Sequence, residues 1–131
     1  MMTDPISDML ARIRNAGMAR HAETWCPHSK LKAAIARLLH EEGFLGDVRE
    51  ETRDGQAVLV MRIRYDGSGK AIIDGMRRVS KPSRRVYIGS DSIPKVRNGL
   101  GIGVISTSRG ILTDRAARES SVGGEYICEV W

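Results

Sequence analysis

Apolar residues recur at intervals of three and four in the first part of the chain, at Ile6, Met9, Leu10 and Ile13 and again at Leu31, Ile35, Leu38 and Leu39. This period predicts two amphipathic helices. Thr3 or Asp4 can cap the first helix, with Pro5 at its first position, and Gly17 ends it. Ser29 is placed to cap the second helix.

Three further segments of this half are predicted strands. Residues 23–26 precede a proline, and residues 44–51 and 57–65 flank the tetrapeptide Arg53-Asp54-Gly55-Gln56. Asp-Gly between two apolar segments is a strong signal for a two-residue hairpin turn. The first half is therefore predicted to have the element order α-β-α-β-β.

The second half contains short extended segments divided by turn residues. Its predicted strands are residues 71–73, 76–80, 84–89, 102–105 and 125–131. We also predict a helical turn at residues 93–96 and a short helix that ends at Glu119. Thr113 or Asp114 can cap that helix. This half is therefore expected to be mainly β with short helices.

Polar, glycine-rich residues 66–70 form the predicted joint of an α+β fold with two small subdomains, residues 1–66 and residues 67–131. The charge distribution changes at the same place. Residues 1–66 contain ten Lys and Arg against ten Asp and Glu, whereas residues 67–131 contain eleven against six, so the net charge of +5 falls in the second part. This asymmetry indicates a polyanionic partner for the C-terminal subdomain.

Several function classes lack the residues that they require. The longest apolar run, residues 57–61, is too short to span a membrane and the chain opens without a secretory signal, so we expect a cytoplasmic protein with no membrane partner. Residues 67–70, Gly-Ser-Gly-Lys, lack the preceding glycine and the following hydroxyl of a phosphate-binding loop. Histidine and cysteine lack metal-ligand spacing. We predict no metal, no cofactor and no small-molecule substrate.

The two cysteines, Cys26 and Cys128, are expected to be buried thiols in a reducing compartment. A protein that is not an enzyme is the main prediction. One alternative is an enzyme of unknown class that uses Cys26 beside His28, although no third residue is placed to orient that pair. Another alternative is a general nucleic-acid-binding module.

Residues 98–110, N-G-L-G-I-G-V-I-S-T-S-R-G, place glycines before a short strand and hydroxyl side chains after it. Ser106, Thr107 and Ser108 can each donate and accept hydrogen bonds, and Arg109 adds donors suited to phosphate. Small side chains of this kind fit the wide minor groove of an RNA helix, where ribose hydroxyls are exposed. The segment is equally consistent with a strand between two turns.

Basic residues surround one predicted hairpin of the C-terminal half. Lys81, Arg84 and Arg85 lie at its turn, and Tyr87 follows on the same strand. Further arginines lie near this hairpin or near the hydroxyl residues: Arg77, Arg78, Arg115 and Arg118. A tyrosine beside arginines can stack on an unpaired base, but Tyr87 is also consistent with a residue at the edge of the core.

Short motifs extend along nearly the whole chain: Asp4-Pro5-Ile6, Arg12-Ile13-Arg14-Asn15-Ala16, Ser29-Lys30-Leu31-Lys32, Glu41-Glu42-Gly43, Arg78-Val79-Ser80-Lys81-Pro82, Arg85-Val86-Tyr87, Asn98-Gly99-Leu100-Gly101-Ile102, Ser106-Thr107-Ser108, Thr113-Asp114 and Gly123-Gly124-Glu125. Together they resemble the family of bacterial small-subunit ribosomal protein eight. Ser83 departs from the family pattern, which usually has glycine after the proline, and this departure affects the expected geometry of that turn.

The resemblance implies a two-subdomain α+β protein that binds the central domain of the small-subunit (16S) ribosomal RNA and helps to assemble the platform of the small subunit. It also implies contacts with ribosomal proteins five and twelve, and repression of the messenger RNA of the protein's own operon. The family's RNA contacts carry over onto Tyr87, Ser106, Thr107, Ser108, Gly124 and Glu125, with Ser29 and Lys30 as a weaker second surface.

Overall fold

The computed structural model describes residues 3–131, which form two compact units. The N-terminal unit is Pro5–Ile73, and the C-terminal unit is Asp74–Trp131 together with Thr3 and Asp4. Both contain helices and antiparallel sheet, so the predicted α+β class is confirmed. No helix within the described residues is long and apolar enough to cross a membrane.

The N-terminal unit has a three-stranded antiparallel sheet and two helices in the predicted order. Its elements are α1 (Pro5–Met18), β1 (Glu23–Pro27), α2 (Lys30–Glu41), β2 (Leu45–Arg53) and β3 (Gln56–Ile63). The strand order is β1-β3-β2, which places β3 in the centre. Residues 58–61 of β3 are all buried, and β3 pairs with a strand on each side and contacts α1.

The helical stripes are confirmed for α1 and only partly for α2. All four predicted apolar residues of α1 are buried. In α2, Ile35 and Leu39 are buried, but Leu31 is exposed, and Ala33 and Ala36 are fully buried instead. The buried face also includes Lys32 and is centred near Ala36. Leu31 points roughly 140° away from Ala36 at 100° per residue.

The Asp-Gly hairpin is confirmed. Arg53 pairs with Gln56, and the two residues between them have φ values of 51° for Asp54 and 78° for Gly55. Two successive positive φ values define the tight turn whose twist matches antiparallel strands.

The predicted joint is an ordered turn of the N-terminal unit. The Asp66 carboxylate accepts hydrogen bonds from the backbone N–H groups of Ser68 (2.8 Å) and Lys70 (3.0 Å) and from the Ser68 hydroxyl (2.7 Å). Tyr65 bridges to Ala71 immediately outside it. The compact units therefore differ from the predicted subdomains 1–66 and 67–131 in that residues 67–73 stay with the N-terminal unit.

The C-terminal unit is a five-stranded antiparallel sheet with one short helix. Its elements are β4 (Met76–Arg78), β5 (Tyr87–Ile88), β6 (Ile102–Thr107), β7 (Gly110–Thr113), α3 (Asp114–Glu119) and β8 (Gly124–Val130). The order is β4-β8-β6-β7, and β5 also pairs with β8. Strands β4 and β5 therefore occupy opposite ends of one side of β8, with β6 on its other side. Ile93, Ile105 and Ala117 form a buried cluster of this unit.

Three predictions for this unit need correction. The predicted strand 84–89 shortens to the two residues of β5, and no helical turn forms at residues 93–96; a 3₁₀ turn lies at Arg97–Gly99 instead. Strand β6 extends through Thr107 and the chain returns as β7, so Ser106 and Thr107, which were predicted to follow the strand, belong to it. The cause is pairing with β8, which lies far away in the sequence and supplies backbone partners to residues 106 and 107.

Candidate nucleic-acid interface

Three predicted site residues lie in one row across the C-terminal sheet. Glu125 on β8 is the register partner of Tyr87 on one side and of Ser106 on the other. Directly opposite residues of antiparallel strands point their side chains to the same face. Ser106 is also opposite Ile111 of β7, so the row runs Tyr87, Glu125, Ser106, Ile111. The sequence analysis did not identify Ile111, because β7 itself was not predicted.

Tyr87 is 70% exposed, which excludes the alternative of a tyrosine at the core edge. Its neighbour Ile88 points the other way and packs against the buried cluster of Ile93, Ile105 and Ala117. The aromatic ring is therefore presented to solvent by a strand whose next residue is anchored in the core. An exposed ring held in this manner can stack on an unpaired base.

Gly124 is required by the sheet. A Cβ at this position would overlap the carbonyl oxygen of Ser106, since β6 and β8 approach closely here. Gly124 pairs with Thr107 on β6 and with Ile88 on β5. The predicted site residue Gly124 thus lets three strands meet beside Glu125.

The hydroxyl residues of the β6–β7 hairpin differ in whether their hydroxyls are hydrogen-bonded within the protein. The Thr107 hydroxyl donates to the Gly110 carbonyl (2.8 Å) and accepts from the Arg109 N–H (3.0 Å), so it closes the turn. Ser108 and Arg109 form the exposed tip. The hydroxyls of Ser106 and Ser108 have no hydrogen-bond partner among residues 3–131. Two of the three predicted hydroxyls are therefore available to a ligand, and the third shapes the turn.

The basic turn next to β5 is tight and exposed. The backbones of Lys81 and Arg84 exchange two hydrogen bonds of 3.1 and 3.0 Å around Pro82 and Ser83. Within the described part of the chain, neither Lys81 nor Arg84 takes part in an ion pair. Arg85 differs, because its Nη1 donates to Glu125 Oε2 at 3.0 Å.

Glu125 has a second, buried partner. The hydroxyl of Ser80, which is fully buried, donates to Glu125 Oε2 at 2.6 Å and accepts from the Val86 N–H at 3.0 Å. The sequence analysis did not assign Ser80 to the site. Its sequence signals are its place in the motif Arg78-Val79-Ser80-Lys81-Pro82 and its small polar side chain between the apolar strand position 79 and the basic turn.

Three arginines of the predicted basic cluster form ion pairs with acidic residues of the same chain. Arg77 pairs with Glu129 (2.9 Å), and Arg118 pairs with Asp114 (3.0 Å). The side chain of Arg78 is only 8% exposed and bonds to Asp4 (3.0 Å) and to the Ile127 carbonyl (2.7 Å). Arg109 and Arg115 remain exposed. Fewer basic side chains of this unit are therefore available to a polyanion than the sequence indicates.

The two residues predicted to form a weaker second surface lie in the N-terminal unit. The Ser29 hydroxyl caps α2 by accepting a hydrogen bond from the Lys32 N–H at 3.1 Å, as predicted. Lys30 occupies the first position of α2 and is exposed. Of this pair, Lys30 is exposed, whereas Ser29 is half-buried and its hydroxyl is used by the cap.

The cysteines are free thiols and buried, as expected. Burial raises the pKa of the Cys26 thiol above its usual value, against the opposing influence of Lys32. Burial also raises the pKa of Cys128 to about 12. A nucleophilic cysteine needs a lowered pKa and access to substrate, so this geometry disfavours the Cys26 enzyme alternative.

No group of three potential metal ligands occurs among residues 3–131. The fold and this surface define a class: a two-unit α+β protein whose C-terminal unit has an exposed tyrosine, free hydroxyls and unpaired basic residues, the chemistry of nucleic-acid-binding proteins.

The chain belongs to the family Ribosomal protein S8, whose sequence model matches residues 4–131. It is 55% identical to the small ribosomal subunit protein uS8 of Sorangium cellulosum over the full length of both chains. The protein of the same name from Geotalea daltonii is 52% identical over 99% of this chain and 98% of its own. That from Lactobacillus delbrueckii subsp. bulgaricus is 49% identical over 100% and 99%. The resemblance seen in the motifs is confirmed.

Proposed function

We propose that the chain is a structural protein of the small ribosomal subunit, located in the cytoplasm, and that its C-terminal unit binds the central domain of 16S ribosomal RNA. Family membership supports the general role. The observation that most supports this surface is the row of Tyr87, Glu125 and Ser106, which lies beside the exposed tip of Ser108 and Arg109. No catalytic residue is part of this proposal.

The chemistry of each side chain suits a different part of RNA. Tyr87 would stack on an unpaired base. The free hydroxyls of Ser106 and Ser108 would form hydrogen bonds with ribose hydroxyls and base edges. The Glu125 oxygen Oε1, which accepts no hydrogen bond from residues 3–131, would accept one from a ribose hydroxyl. Lys81, Arg84 and Arg109 are exposed and would bind phosphates.

The second surface, Ser29 and Lys30, is proposed as a minor RNA contact of the N-terminal unit. The chain would help to assemble the platform of the small subunit and would contact ribosomal proteins five and twelve there. These partners come from the motif resemblance alone.

We further propose that the messenger RNA of the protein's own operon occupies the same surface. The Ser106 to Ser108 hairpin is compact, so it can respond to groove shape and ribose hydroxyls but spans too little RNA to specify a long sequence. An RNA folded into the same shape would therefore compete. An operator RNA that binds simultaneously with the ribosomal fragment would exclude a shared site.

The direct test is a titration of the full chain with a central-domain RNA fragment, a generic RNA duplex and a DNA duplex at matched salt. We expect the ribosomal fragment to bind most tightly. Equal affinity for all three would favour the alternative of a general nucleic-acid-binding module.

The same titration with the double variant Ser106→Ala and Ser108→Ala tests whether the hairpin hydroxyls contact the RNA. We expect weaker binding, by roughly 1 kcal/mol for each hydroxyl, with little change in melting temperature, because neither hydroxyl has a partner in the described protein. Ser120→Ala, which removes a hydroxyl at the end of α3, is the control and should leave affinity unchanged. Unaltered binding by the double variant would show that the hairpin is not the contact surface.

A further inference from the structure

Ser80 lies two residues beyond the end of β4, at a fully buried position beside the candidate interface. Its backbone N–H donates to the Tyr126 carbonyl at 2.9 Å, so β8 fixes the location of the residue. Its hydroxyl then makes two hydrogen bonds, one to Glu125 and one from Val86. A buried hydroxyl with both functions used has a defined orientation.

Glu125 is the only acidic side chain in the row, and hydrogen bonds from its neighbours fix the position of its carboxylate. The side chain is 19% exposed, and Oε2 accepts from both Ser80 and Arg85. Among residues 3–131 the hydrogen bonds of this carboxylate use Oε2, which leaves Oε1 as an acceptor. A carboxylate repels phosphate, so it can serve RNA binding only if it is held where a donor approaches.

Of the two partners of Oε2, only Ser80 is rigid. The Arg85 side chain is 49% exposed and has a long flexible stem, so it can reach the carboxylate in many conformations. Ser80 has a short side chain on a backbone that is hydrogen-bonded to β8, and its hydroxyl donates one short hydrogen bond to the carboxylate. The position of the carboxylate, and through it that of the Arg85 guanidinium, therefore depends on the serine hydroxyl.

We propose that Ser80 is a positioning residue for RNA binding: its buried hydroxyl fixes the Glu125 carboxylate, and with it Arg85, beside Tyr87 and Ser106. The same hydroxyl fastens the basic turn, because it accepts from the Val86 N–H after that turn closes. This inference rests on the proposed function of the C-terminal sheet face. Ser80 touches no RNA itself and acts through Glu125.

The test is a double-mutant cycle on RNA affinity, using the full chain and the central-domain fragment. We expect Ser80→Ala to weaken binding about fivefold, the equivalent of one lost hydrogen bond. In the Glu125→Ala background the same change should alter affinity by less than about twofold, because the group that Ser80 holds is gone. A purely structural role would predict equal losses in both backgrounds.

Thr113→Ala is the matched control. The Thr113 hydroxyl also accepts from a backbone N–H, that of Ala116 at 3.1 Å, and caps α3. We expect this variant to lower the melting temperature while the affinity of the folded protein stays within about twofold of wild type. If Ser80→Ala does not fold, Ser80→Cys keeps the size with a weaker donor and enters the same cycle.

Two results separate the inference from the function on which it rests. The inference alone would be overturned if the wild-type protein binds the fragment and the Ser80 variants bind it equally well. It would also be overturned if Ser80→Ala causes the same loss of affinity with Glu125 and in the Glu125→Ala background. Wild-type protein that does not prefer the ribosomal fragment over a generic duplex would overturn the proposed function first.

Discussion

At the scale of single residues, side chains of one type differ in whether they are available to a ligand. Arg78 and Arg84 are six positions apart, yet Arg78 is buried in a network with Asp4 and Ile127, whereas Arg84 is exposed. Arg85 is intermediate, since it is half exposed but bonded to Glu125. The charge that RNA can neutralise therefore depends on the partners of each arginine and not on its position in the sequence.

This difference predicts separate salt dependences for two adjacent arginines. Arg84→Ala should lower the slope of log affinity against log salt by about one, because one phosphate contact is lost. Arg85→Ala should weaken binding with a smaller change in slope, since that guanidinium is held by a carboxylate. Titrations between low and moderate salt measure both.

Arg62→Ala is the control, because Arg62 is an exposed arginine of the N-terminal unit with no ion pair among the described residues. Arg12→Ala, at an arginine that bonds to Asp8 and to the Trp25 carbonyl, should also have little effect. Equal slope changes in all four variants would contradict a C-terminal footprint.

At the scale of elements, the site depends on how β8 meets its neighbours. Its first two residues pair with β5 on one side and with β6 on the other. Gly124 permits this approach, and the following residue, Glu125, then lies between Tyr87 and Ser106. The geometry of the interface is therefore a property of strand register.

We predict that Gly124→Ala destabilises the protein by about 2 kcal/mol or more, since the new Cβ would overlap the Ser106 carbonyl and force β6 and β8 apart. RNA affinity should fall as well, because the row loses its alignment. Thermal unfolding and binding titrations measure the two effects.

Gly67→Ala is the matched control, because a Cβ there would meet no atom within 4 Å and the backbone has no positive φ. It should leave both stability and affinity almost unchanged. A Gly124 variant as stable as the Gly67 variant would be inconsistent with the described register.

At the scale of the whole molecule, total charge distinguishes the two units less than the sequence halves suggest. The N-terminal unit has eleven Lys and Arg against nine Asp and Glu, and the C-terminal unit with Asp4 has ten against seven. The difference shrinks because Lys70 and Asp4 change sides. The basic character of the candidate interface therefore depends on which side chains lack an ion pair and not on the net charge of a unit.

Buried titratable groups predict a loss of stability at alkaline pH. The pKa of Cys128 rises from 9.0 to about 12 on burial, and burial also raises the pKa values of Cys26 and Tyr126. Above about pH 9 the unfolded chain loses these protons while the folded chain keeps them, so the free energy of unfolding falls as pH rises.

Thermal unfolding between pH 8 and pH 11 tests this expectation. Cys128→Ala should lower the melting temperature at pH 8 through lost packing but should show a shallower decline above pH 9. A decline as steep as that of the wild-type protein would show that Cys128 does not contribute.

Local patterns in the sequence were sufficient for several features. The apolar period of α1, the cap at Ser29, the cap at Thr113 and the Asp54-Gly55 turn are all confirmed. Each depends on hydrogen bonds or packing within a few residues. The motifs spread along the chain also indicated the correct family, because they consist of residue identities and need no knowledge of which segments pair.

Which of the candidate residues meet depends on the pairing of distant strands. Tyr87, Ser106 and Glu125 are separated by 19 residues or more in the chain, and β8 brings them into one row. The position of Ser80 beside β8 likewise made it the buried partner of Glu125. Residue types, local elements and family membership thus follow from the amino-acid sequence alone. Register and burial determined the site, because both depend on contacts between distant segments that no local pattern encodes.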